Sequence, residues 1–104
     1  MEISVHELKK KMDLDDKLQI LDVREPTEVA YGIIPNAILI PMSDIPKKLD
    51  KLNNKTDLYI YCKSGIRSAR VCEYLLQKDF RNVYNVKGGI VSWSREIDQT
   101  IKVL

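Results

Sequence analysis

Residues 58–68 read Leu58-Tyr59-Ile60-Tyr61-Cys62-Lys63-Ser64-Gly65-Ile66-Arg67-Ser68. A short apolar run leads into a cysteine, a glycine-containing turn follows, and a helical pattern begins. The run from Leu58 to Tyr61 is too short for a buried helix and reads as a strand. Beyond the turn a helix is expected from about Arg67 to Lys78. Ala69, Cys72 and Leu76 lie along one face of it, with Val71 and Leu75 beside them. Strand, turn and helix in succession point to an α/β fold. Cys62 then stands at the carboxyl end of what should be a central strand, the place where open α/β sheets bind ligands.

The alternation extends outward in both directions. Ser4 and Glu7 have the spacing of a capping box, so a first helix is expected from about Val5 to Met12. Leu18 to Val23 is a mostly apolar run and reads as a buried strand. Pro26 suits a first helical turn, and Thr27 to Tyr31 reads as a short helix stopped by Gly32. Ile38-Leu39-Ile40 is a strand bracketed by Pro35 and Pro41. Ser43 is placed to cap a charged helix through Leu52, which Asn53 and Asn54 break. Val83 to Val86 is a further strand, Lys87-Gly88-Gly89 a turn, and Ile90 to Ile97 a last helix. Ile101 to Leu104 is a candidate for one more short strand. Strands and helices in this order imply a mainly parallel sheet of about five strands with helices packed on it.

Composition bounds the remaining choices. At 104 residues and 44% apolar, the chain reads as one globular domain over 1–104. A net charge of +2 gives no general argument for nucleic acid or for an anionic membrane surface. The opening stretch Met1 to Asp13 holds no apolar run of signal-peptide length, and no later stretch approaches a membrane span. A cytoplasmic chain is the expectation. Cys62 and Cys72 are too few for a disulfide scaffold, and with one histidine, His6, there is no zinc-ligand pattern. No metal or organic cofactor is expected.

The chemistry concentrates at Cys62. A turn that joins a strand to a helix aims backbone N–H groups at one point and forms an anion nest. The helix N-terminus adds its positive dipole end, and Lys63 and Arg67 add full charges nearby. Each favours thiolate over thiol, and cysteines in such settings titrate well below the free value of roughly 8.5. The same nest suits the terminal sulfur of a persulfide, which is also an anion. Gly65 permits the backbone conformation of a tight cradle, and the Arg67 fork suits an oxyanion. A lone cysteine at a strand end is more often a small buried hydrophobe. The basic and glycine neighbours outweigh that reading here.

At this point the sequence resembles the rhodanese family. Cys62 to Ser68 resembles its active-site loop, and Leu21-Asp22-Val23-Arg24-Glu25 the motif on its early strand. Gly32-Ile33-Ile34-Pro35-Asn36-Ala37 resembles its G-H-I-P-G-A segment. Gly88-Gly89 followed by Trp93 resembles its late G-G-x-x-x-W motif. The resemblance implies a three-layer α/β domain with helices on both sheet faces. It implies a sulfurtransferase that moves sulfane sulfur from a donor such as thiosulfate to a thiophilic acceptor, cyanide or a thiol. Cys62 matches the catalytic cysteine that carries the persulfide. Lys63, Ser64, Gly65, Ile66 and Arg67 match the loop whose backbone amides bind it, and Arg67 a position that binds an anionic donor. A protein persulfide donor and a thioredoxin-like acceptor are compatible partners. Two positions depart from the family: Ile33 stands where His is usual, and Asn36 where Gly is usual. The first bears on substrate preference.

Other residues carry competing roles. Asp22 reads as an acceptor for a neighbouring loop. Arg24 is a candidate substrate contact, with pairing to Glu25 or Glu28 as the alternative. Cys72 reads as core rather than as a resolving thiol, and Trp93 as packing rather than a pocket wall. His6 is expected to face solvent. Lys9 to Lys11, and Lys47, Lys48, Lys51 and Lys55, read as solvated faces more readily than as docking patches for an acidic partner. Two other function classes are open. Cysteine phosphatases and arsenate reductases use a C-x5-R loop, but Cys62 to Arg67 encloses only four residues, a cradle sized for one sulfur atom rather than a phosphate. A non-enzymatic persulfide carrier or regulatory binding module is the other alternative.

Overall fold

Five strands and three α-helices alternate along the computed structural model, which describes residues 1–103. In chain order they are β1 (Glu2–Ile3), α1 (Val5–Leu14), β2 (Gln19–Asp22), β3 (Ile38–Leu39), β4 (Leu58–Tyr61), α2 (Ile66–Leu76), β5 (Val83–Val86) and α3 (Gly89–Glu96). The sheet runs β1-β5-β4-β2-β3 and every pairing is parallel. No helix among the described residues is long and apolar enough to cross a membrane.

Side chains alternate across each strand, so one sheet serves two cores. Leu21, Leu58, Ile60, Cys62 and Val83 face the side covered by α2, where Val71, Cys72 and Leu75 meet them. Ile20, Tyr59, Tyr61 and Val86 face the other side, where α1 and α3 contribute Val5, Leu8, Ile90 and Trp93. All four residues of β4 are buried. That explains why its sequence is continuously apolar rather than alternating.

Local chemistry sets the ends of the elements. The capping box at α1 forms as expected, with Glu7 N–H donating to Ser4 Oγ and Ser4 N–H to Glu7 Oε1. Three readings change. The helix expected from Ser43 to Leu52 is two 3-10 turns, Met42–Lys47 and Leu49–Lys51. Pro46 lies inside the first. It disfavours α geometry at the residue before it, which weighs against a regular α-helix across this stretch. The helix expected over Thr27–Tyr31 is likewise a single 3-10 turn, Val29–Tyr31. The fifth strand is at the N-terminus, Glu2–Ile3 beside β5, and residues 101–103 form none; Leu104 lies outside the described residues. Asn36, at the position where Gly is usual, has φ 68°. Asn tolerates this left-handed conformation better than other side chains, so the turn survives the replacement.

The order of the sheet creates a crevice. The chain leaves β2 toward β3 on one side and leaves β4 toward β5 on the other. Between β2 and β4 the connections diverge, and this switch point is where an open α/β sheet offers a binding cleft. The register Asp22 to Tyr61 brings the loop after β2 level with the loop after β4. From the far side, α3 closes on the second of these loops. Ile90 N–H donates to the Cys62 carbonyl at 2.9 Å and Val91 N–H to the Lys63 carbonyl at 3.1 Å. Two helix N-terminal donors that have no intrahelical partner are thereby satisfied. The approach requires Gly89: a Cβ there would lie 2.4 Å from the Cys62 carbonyl oxygen. Gly89→Ala is expected to cost about 1–3 kcal/mol of stability in urea unfolding. An unchanged midpoint would contradict this packing.

Candidate functional site

β4 ends at Tyr61, and the chain turns through Cys62-Lys63-Ser64 to Gly65, which caps α2 in the left-handed region at φ 108°. Only glycine adopts that conformation without strain. The turn folds the backbone over the Cys62 sulfur. Gly65 N–H donates to Sγ at 3.1 Å and Ser68 N–H at 3.4 Å. Ser68 Oγ lies 3.3 Å from Sγ. Cys62 itself is only 1% exposed.

Burial pushes the Cys62 thiol up. The Ser68 hydroxyl, and then the N–H groups of Ser68, Gly65 and Ser64, outweigh it, and the thiol lies below its ordinary value. Hydrogen bonds are thus the leading support for a thiolate here, more than the full charges that the sequence brings near. Lys63 is exposed and Arg67 is engaged elsewhere. Cys72, on the same face of the sheet, has no such donors among the described residues, and burial pushes it up to about 11. It is a core residue.

One residue outside the expected set completes the cradle. Asn85, buried within β5, donates through Nδ2 to the Gly65 carbonyl at 3.0 Å. Its Oδ1 accepts the Ser68 hydroxyl at 2.6 Å. The single hydroxyl proton of Ser68 therefore has two acceptors, Asn85 and the sulfur. A charged sulfur is the stronger acceptor, so ionisation of Cys62 draws the proton toward it. A polar residue inside the apolar strand Val83–Val86 is the sequence signal that could have found Asn85.

Arg24 is not at the loop as a free cation. It is 2% exposed and forks onto Asp22, itself 0% exposed, with Nη2 to Oδ2 at 2.8 Å and Nε to both carboxylate oxygens at 3.1 Å. Its remaining N–H groups reach the carbonyls of Gly32 at 2.9 Å and Glu28 at 3.3 Å. The expected substrate contact is thus an anchor for the loop after β2. The pairing with a Glu25 or Glu28 side chain does not form either. The Arg24 guanidinium also lies 5.7 Å from the Tyr61 ring centre, and Tyr61 Oη accepts Ile34 N–H at 3.1 Å.

Arg67 meets Glu28 in a bidentate pair, Nη1 to Oε2 and Nη2 to Oε1, both at 2.8 Å. The Arg67 fork holds the Glu28 carboxyl down to about 2. Glu28 is the other residue that the sequence reading left unassigned to the site. Trp93 packs α3 on the sheet, 2% exposed, with its indole N–H unpartnered among the described residues. His6 faces solvent and meets Glu96 at 2.9 Å. No cluster of metal-ligating side chains occurs among the described residues.

Known proteins align with this arrangement. The family described as Rhodanese-like domain matches residues 4–96. A putative sulfurtransferase of Bacillus subtilis, YtwF, is 45% identical over 95 residues, 91% of each chain. A sulfurtransferase of Allochromatium vinosum is 37% identical over 94 residues, covering 90% of this chain and 88% of that one. The crystal structure of a rhodanese-like domain protein from Staphylococcus aureus superposes with a TM-score of 0.86 at 41% identity, over 100% of this chain and 99% of that one.

The cradle's effect on Cys62 is open to direct titration. In a Cys72→Ser background, thiolate ultraviolet absorbance should rise with a midpoint below the free value of roughly 8.5. Because the folded pKa is lowered, thiolate persists to lower pH and is lost as pH falls through that midpoint. Ser68→Ala should move the midpoint up. A midpoint at or above the free value in the parent would contradict the cradle.

Proposed function

The chain belongs to the rhodanese-like domain family, and from that premise we propose that it is a sulfurtransferase carrying sulfane sulfur as a persulfide on Cys62. The observation that carries the proposal is the convergence of the Gly65 and Ser68 N–H groups on a sulfur whose pKa they lower. We read residues 1–104 as one domain acting in the cytoplasm, with Cys62 as catalytic nucleophile and Lys63 to Arg67 as its binding loop.

The reaction is a double displacement. The Cys62 thiolate attacks the outer sulfur of a donor. With thiosulfate, the bond between the two donor sulfurs breaks, a new S–S bond forms on Cys62, and sulfite leaves with the electron pair. Charge is conserved: one thiolate and a dianion become one persulfide anion and a dianion. The persulfide places its terminal sulfur among the loop amides. The N–H groups of Ile66 and Arg67, in the first turn of α2, have no intrahelical acceptor and are free for it. Backbone donors of this kind act as an oxyanion hole does, holding charge where it develops. Cyanide or an acceptor thiolate then attacks the outer sulfur and restores Cys62. The relatives named as sulfurtransferases support the transfer. The identity of the donor and acceptor, small molecule or protein, is part of the proposal.

Intact-mass spectrometry after thiosulfate treatment tests it. Wild type and Cys72→Ser should each gain one sulfur atom and lose it on addition of cyanide. Cys62→Ser should gain none while keeping its fold. An adduct that survives in Cys62→Ser, or no adduct on any form with thiosulfate or an alkyl persulfide, would contradict the assignment.

A further inference from the structure

Arg67 is the loop's planar fork, the group best shaped to receive the oxygens of a sulfonate. In the structure that fork is filled. Both of its terminal nitrogens sit on Glu28 at 2.8 Å, and the two side chains are 34% and 29% exposed. Glu28 is not a mobile surface carboxylate that happens to lie nearby. Its Oε2 also accepts Glu25 N–H at 2.7 Å, and its own N–H closes the turn onto the Glu25 carbonyl at 2.9 Å. Its carbonyl is held by Arg24, which is locked to the buried Asp22. A chain of contacts thus runs from the core to the rim of the cradle. It presents a carboxylate to Arg67 from the opposite wall of the crevice.

Arg67 stands in the first turn of α2, one residue before Ser68, whose N–H reaches the Cys62 sulfur at 3.4 Å. The fork thus belongs to the loop that encloses the sulfur, where its occupancy bears on an arriving donor. A sulfonate-type donor brings its own oxyanion and competes with Glu28 for the fork. It also meets the carboxylate's repulsion. An alkyl persulfide brings no oxyanion and needs only the backbone amides around the sulfur.

Resting on the sulfurtransferase reading above, we propose that Glu28 is a specificity-determining residue: by occupying the Arg67 fork it disfavours sulfonate donors and tunes the site toward alkyl persulfides. With such a donor, the Cys62 thiolate attacks the outer sulfur, the donor S–S bond breaks, and a new S–S bond forms on Cys62. The donor leaves as a thiol, taking the proton that the outer sulfur carried. No oxidant is needed, because one persulfide replaces another.

The test compares thiosulfate with hydroxyethyl persulfide, an alkyl donor without a sulfonate group, in steady-state kinetics of wild type, Glu28→Gln and Glu28→Ala. The KM for thiosulfate should fall about fivefold in both variants, as expected when a partly exposed ion pair no longer competes. kcat should move less than KM. The ratio of kcat/KM for thiosulfate over hydroxyethyl persulfide should rise by a similar factor. In an Arg67→Ala background the same Glu28 substitutions should leave the ratio unmoved, since the coupling runs through the fork. A thiosulfate KM that is unchanged or raised in Glu28→Gln and Glu28→Ala overturns the inference, as does an equal shift without Arg67. Failure of the underlying reading looks different: neither donor loads sulfur onto wild-type Cys62.

Discussion

A sulfur atom that is buried and negatively charged has to be surrounded by hydrogen-bond donors, or it will take up a proton instead. Around Cys62 those donors are the Ser68 hydroxyl and backbone amides, and amides can be aimed only by fixing the chain. Much of the structure does that fixing. Gly65 turns the loop through a left-handed conformation, Asn85 holds the Gly65 carbonyl, and the first N–H groups of α3 hold the carbonyls of Cys62 and Lys63. Gly89 has no side chain because those carbonyls occupy the space that one would fill.

The opposite wall depends on a buried ion pair. Removing Asp22 and Arg24 from water is costly, and the cost is offset only because nearly every lone pair and proton finds a partner. The Asp22 carboxylate takes three contacts from the Arg24 side chain and one from the Arg24 backbone N–H. What the pair supplies is position. It pins the turn that carries Glu28 across from Arg67, at the point where the connections from β2 and β4 diverge. Sheet topology, buried electrostatics and the rim of the site are therefore one arrangement.

The features legible in the sequence were those decided by neighbours along the chain. The capping box of Ser4 and Glu7, the apolar run of β4 and the glycine turn after Cys62 all follow from local rules. So did the strand–turn–helix context that singled out the cysteine. What escaped was decided by distant partners. A two-residue strand such as Glu2–Ile3 exists only because β5 offers it an edge. Arg24 reads as a substrate contact or a partner of Glu25 or Glu28 until Asp22 and the carbonyls of Glu28 and Gly32 are seen to surround it. Glu28 reaches the site from 34 residues before Cys62 and Asn85 from the following strand, through contacts spanning 39 and 20 positions; only Asn85 carries a local mark, as a polar residue in an apolar strand. The 3-10 turns at Met42–Lys47 were a local matter, and Pro46 was the signal against a continuous helix.

The central claim is that backbone amides at the start of α2 hold the outer sulfur of a Cys62 persulfide. Amide hydrogen exchange, read residue by residue by NMR in the reduced and persulfidated protein, addresses it directly. Exchange at Ile66 and Arg67 should slow when the persulfide forms and recover after cyanide removes the outer sulfur. Equal exchange at both residues in the two states would contradict the claim.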